Sequence, residues 1–150
     1  MKRILLMLVL IVSAIGMFSC SSDSSTDNNT VTNSFTVSGT SFSNVIVTCN
    51  SVGGGYVMNA GDLGGTGSSC SVAFPTTAMP TAGTYNVDGS GAGQIAFAVV
   101  VNTESFAATG GSATVTLVGG KVKVVCTNVP LMKVADPSVT KTLTATIQCN

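Results

Sequence analysis

From residue 35 onward, apolar and polar residues alternate in short runs, with Gly, Pro, Asn and Asp standing between the runs. Alternation with period two marks a strand with one face buried and one wet, and the intervening residues are those that make tight turns. The pattern predicts strands over 35–37, 44–49, 56–59, 69–74, 84–87, 94–102, 112–118, 121–127 and 142–149. Gly53-Gly54-Gly55 and Gly119-Gly120 stand where hairpin turns are needed, and residues 75–83 form a longer loop. No stretch after residue 19 places apolar residues at spacings of three and four behind an N-cap, so almost no helix is expected. The expected fold is all-β: an antiparallel β-sandwich or flattened barrel of eight or nine short strands, braced by disulfides.

The first 19 residues follow another pattern. Lys2 and Arg3 precede an apolar run from Ile4 to Ile15 broken only by Ser13, the layout of an export signal. The run to Phe18 is about 15 residues, short of the ~20 that a spanning helix needs. Met17-Phe18-Ser19-Cys20 resembles a lipobox, in its looser form similar to that of Bacteroidota lipoproteins. The resemblance implies that Cys20 takes diacylglycerol on its thiol and becomes the N-terminus after cleavage. Two or three acyl chains, at ~0.8 kcal/mol per buried methylene, would anchor the protein without spanning the bilayer. Residues 20–34 are then the lipidated Cys and a tether, because 21–33 hold Ser, Thr, Asp and Asn around a single apolar Val31. Residues 35–150 are the all-β domain. The expected location is the cell envelope, at the outer membrane.

Charge narrows the partners. The chain carries six Lys and Arg against six Asp and Glu, and loss of Lys2 and Arg3 with the signal leaves a slightly acidic remainder. Four scattered lysines cannot supply the clustered positive charge that nucleic acid demands. The membrane is therefore met through the lipid anchor, and the remaining partner is a protein or a glycan. Low charge is not disorder here, since 45% of residues are apolar.

The segment Val72-Ala73-Phe74-Pro75-Thr76-Thr77, with Thr81-Ala82-Gly83-Thr84-Tyr85 and Gly120-Lys121-Val122-Lys123-Val124, resembles small uncharacterised β-rich lipoproteins of Bacteroidota. That resemblance implies a sandwich and no known activity.

Candidate chemistry is sparse. Without histidine there is no Ser-His-Asp triad and no His metal site. Ser138-Val139-Thr140-Lys141 matches S-x-x-K but follows Pro137 in a loop instead of opening a helix. The glycine-rich runs 61–67 and 89–93 lack the Lys and helix of a phosphate loop. Asp62, Asp88, Glu104 and Asp136 lie in or near loops, where two could meet around calcium or a substrate proton, although solvated turn residues fit their scatter better. Tyr56 and Tyr85 are the tyrosines a sugar could stack on, with no Trp beside them. No catalytic residue, metal or cofactor is expected. The reading is a non-enzymatic binding or structural lipoprotein, the alternative an enzyme or accessory subunit acting on extracellular polysaccharide.

Cys49, Cys70, Cys126 and Cys149 are four cysteines in an exported domain and lack the C-x-x-C pairs of a zinc site, so disulfides are expected. Alternation turns all four thiols to the core. In an up-and-down meander with the strands above, Cys49 and Cys126 fall at one end and Cys70 and Cys149 at the other. The expected bridges are Cys49 to Cys126 and Cys70 to Cys149.

Overall fold

The structure, a computed structural model, describes residues 32–88 and 93–150; the expected signal, Cys20 and the expected tether up to residue 31 lie outside the described residues. The described chain is all-β, with eleven strands and no helix: β1 Ser34–Val37, β2 Thr40–Phe42, β3 Val45–Val52, β4 Gly55–Asp62, β5 Ser69–Phe74, β6 Gly83–Asn86, β7 Ala96–Val101, β8 Glu104–Ala108, β9 Ser112–Val118, β10 Lys121–Lys133 and β11 Thr140–Gln148. β1 opens at Ser34, inside the span expected to be tether. β2 and β8 are strands the alternation did not predict: three and five residues are too few to show a period clearly.

All strand pairs are antiparallel and form one sheet, nearly closed into a barrel, in the order β2-β1-β11-β10-β8-β7-β5-β4-β3, with β9 on β10 and β6 on β9. β10 organises this arrangement. Its first half, through Cys126, pairs with β9, and its last residues, Leu131 to Lys133, pair with β8. Because both pair antiparallel to β10, β8 and β9 run the same way, as one course broken at Thr109-Gly110-Gly111.

Pro130 shows why the break sits there. Its carbonyl accepts the Thr109 N–H at 3.0 Å, so its ring nitrogen, which has no proton to give, also points at the break and not at β11. Just before it, Thr127 and Asn128 of β10 stand against Thr144 alone, a bulge between Cys126 and Val129. Asn128 adopts φ 53°, a left-handed conformation Asn tolerates, and its N–H donates to Thr144 Oγ1 at 3.2 Å. The extra residue keeps Val122, Val124 and Cys126 on the same inward face as Val129 and Leu131.

Period-two burial is clearest on β5 and β7, where Cys70, Val72 and Phe74, then Phe97, Val99 and Val101, all turn inward. With Phe35, Met58, Ile95, Phe106, Leu143 and Ile147 they form one core. Gly119 and Gly120, both at positive φ, make the β9–β10 hairpin as the sequence predicts.

Candidate functional site

The sheet path stops at β3 on one side and β2 on the other, and a covalent bond ties the β3 edge to the seam at the end of β11. Cys49 of β3 is joined to Cys149, one residue past β11, with Cα atoms 5.9 Å apart. Tyr56 on β4 sets its hydroxyl 3.3 Å from Cys149 Sγ, and burial pushes the pKa of that phenol up. Asn150 Nδ2 donates to the Val47 carbonyl at 3.5 Å, so a β3 backbone group on the sheet edge is met by the chain's own residue.

This bridge corrects the expected pairing. Cys49 does not bond Cys126, Cys149 does not bond Cys70, and Cys70 and Cys126 are buried free thiols. The expectation counted β6 as a rung of the meander. In the structure β5 pairs directly with β7, while β6 crosses to pair with β9. β6 and β7 therefore run the same way, joined by a parallel bridge between Val87 and Ile95. From β7 onward every strand direction is the reverse of the one expected, so Cys149, not Cys126, ends beside Cys49.

A concave feature of the described surface lies where β5 ends. Phe74, Pro75, Met79, Pro80, Tyr85 and Gly93 are among the residues lining an open cleft of about 350 Å³. Three rings run beneath it edge to face: Tyr56 to Phe74 at 6.2 Å between centroids, and Phe74 to Tyr85 at 5.7 Å. The 75–82 loop is pinned at two points, where Ser51 Oγ donates to Thr77 O at 2.7 Å and Tyr85 Oη donates to Thr81 O at 2.9 Å. No lining residue is acidic, basic or a thiol. Such a cleft can bury a small apolar group and offer threonine hydroxyls and the Tyr85 phenol.

None of the four loop carboxylates is among the residues lining it. Asp62 Oδ2 accepts the Thr66 hydroxyl at 2.9 Å within the β4–β5 hairpin. Asp136 Oδ1 accepts both the hydroxyl and the N–H of Ser138, which lowers its pKa. Glu104 accepts from Lys133 and lies 3.8 Å from Lys141 Nζ; the Lys133 hydrogen bond and charge hold its carboxyl below its ordinary range. Asp88 also has a partner. Among the described residues no three Asp, Glu, Cys or His gather as a metal site. Ser138 and Lys141 of the S-x-x-K match face different partners, since Lys141 Nζ stands 4.6 Å over the Phe106 ring. The cleft itself left a faint trace in the sequence: the Phe-Pro and Met-Pro pairs at 74–75 and 79–80 mark a stiff apolar loop, but nothing in their spacing shows that β6 closes its other wall.

No protein-family model, curated protein or solved structure matches this chain.

Proposed function

We propose that the chain is an exported lipoprotein of the cell envelope, held at the outer membrane by acyl chains on Cys20, whose barrel acts without catalysis, by binding or by structural presence. The observation that carries this reading is the Cys49–Cys149 bridge at the seam. Structural disulfides persist in oxidising compartments and are rare in a reducing cytosol, which agrees with the export signal and lipobox-like 17–20 segment. The non-catalytic part rests on the uncharged cleft and on carboxylates engaged by Thr66, Lys133 and Ser138.

The test is metabolic labelling of the full chain with an alkyne-bearing fatty acid. Wild type takes up label and Cys20→Ser takes up none, with an unchanged β-type circular dichroism spectrum. Label retained in Cys20→Ser, or absent from wild type, refutes the anchor.

A further inference from the structure

The two sulfurs of the seam bridge are not equivalent. Cys149 is 6% exposed, whereas Cys49, on the edge strand β3, is only partly buried. Tyr56 adds a second difference. It stands across the β3–β4 ladder from Ser51, two residues past Cys49, and its hydroxyl lies 3.3 Å from Cys149 Sγ. A sulfur held in a disulfide carries no hydrogen, so the tyrosine O–H donates and Cys149 Sγ accepts. Among the described residues no hydrogen bond of this kind reaches Cys49 Sγ.

That matters because thiol–disulfide exchange has a direction. A thiolate attacks one sulfur and the other departs as a thiolate, faster the better its charge is stabilised. A hydrogen bond strengthens as its acceptor gains charge, so the Tyr56 donor favours Cys149 as the sulfur that leaves. The Tyr56 ring meets the Phe74 ring edge to face at 6.2 Å between centroids, which holds the hydroxyl on its target. No thiol of the domain core competes for the bridge. Cys70 and Cys126 are buried, and burial pushes Cys126 up to about 11 and Cys70 above its ordinary range, so the attacking thiolate comes from outside.

We propose that the seam disulfide is a directed, reducible latch: an external dithiol enters at Cys49, and Cys149 leaves toward the Tyr56 hydroxyl. One thiolate of the dithiol attacks Cys49 Sγ, a mixed disulfide forms there, and the Cys49–Cys149 bond breaks with its electron pair on Cys149. The second thiol of the reductant then attacks the mixed disulfide and releases Cys49. Two electrons and two protons pass to the protein, two S–H groups replace its S–S bond, and the dithiol becomes a disulfide. Opening removes the covalent tie between β3 and the end of β11, and the Asn150 to Val47 hydrogen bond is then the direct link described between those segments. Cys49 is thus the point at which a redox partner is joined to this domain, whether or not Cys20 carries lipid.

The test uses the full oxidised chain carrying Cys20→Ser, folded in detergent. Glutathione is added, the reaction is stopped with acid early in its course, and free thiols are blocked with N-ethylmaleimide before digestion without reductant. The expected map has glutathione on Cys49 and maleimide on Cys149, in about tenfold or greater excess over the reverse. Tyr56→Phe keeps the ring and removes only the donor, and it should slow reduction by dithiothreitol about tenfold. A hydroxyl that only braced the seam would act with the opposite sign, since its loss would loosen the seam and speed reduction. Glutathione shared evenly, or found mainly on Cys149, overturns the direction of attack. A Tyr56→Phe rate equal to or above wild type overturns the role of the hydroxyl, and the adduct map decides the direction even if that variant does not fold. Because Cys20 is absent and no cell is involved, failure here is distinct from failure of the lipid anchor.

Discussion

Asn33 Oδ1 accepts the backbone N–H of Gln148 at 2.7 Å, joining the residue before β1 to the last residue of β11. Both residues are buried, so the amide cannot turn to water if its partner is removed. Asn33→Ala should therefore cost about 1 to 3 kcal/mol, the range for a buried donor left unsatisfied. Chemical denaturation checks it, and a change below a few tenths of a kcal/mol would show that another group takes over.

The seam disulfide closes a loop with a sequence separation of 100. Replacing Cys49 and Cys149 together by Ala should lower stability by about 2 to 5 kcal/mol, through the freedom regained by the unfolded chain. The denaturation midpoint should fall while the β-type spectrum persists under native conditions. A midpoint equal to wild type would mean that the seam is closed by packing alone.

Thr103 sits in the β7–β8 turn at φ 75°, where a β-branched side chain crowds its own backbone. The left-handed region costs an L-residue about 1 to 2 kcal/mol, and Asn bears it better. Thr103→Asn is expected to raise stability by about 1 kcal/mol, seen as a higher melting temperature. A loss would show that the Thr side chain has a stabilising role that outweighs its strain.

Glu104 and Asp136 both titrate below their ordinary values in the folded chain, Glu104 through Lys133 and Asp136 through Ser138. A depressed folded pKa gives stability that is complete above the unfolded value, about 4.3 for Glu and 3.9 for Asp. It is lost as pH falls through the folded value. Stability should hold from pH 7 to about 5 and decline below about 4, and Glu104→Gln with Asp136→Asn should flatten that decline. An unchanged acid limb in the double variant would place its origin elsewhere.

The period-two signal made the class of the fold readable because it reports directly on which face each strand buries. β5 and β9 were readable to the residue, at 69–74 and 112–118. β10 was not: its prediction stopped at 127, where the bulge at Thr127-Asn128 breaks the alternation although the strand runs on to Lys133. The inward facing of the cysteines was legible too. Their partners were not, since pairing depends on β6 leaving one branch for another, and no local pattern in Gly83–Asn86 says which neighbour it will find. The cleft depends on the same crossing, because Tyr85 reaches Phe74 only from β6.

The seam bridge also shapes how the domain would carry a load. With the anchor proposed at Cys20, tension would enter at Asn33 and could draw out only the chain before Cys49, about 16 residues or roughly 55 Å at ~3.5 Å each. Beyond that point the pull divides at the disulfide, one path running forward from Cys49 and the other backward from Cys149. Under the same proposal, a partner gripping the 75–82 loop would be held to the anchor by two stretches of chain in parallel. Both would have to yield before the grip was drawn further away, so the anchored domain would behave as a short leash with a fixed stop.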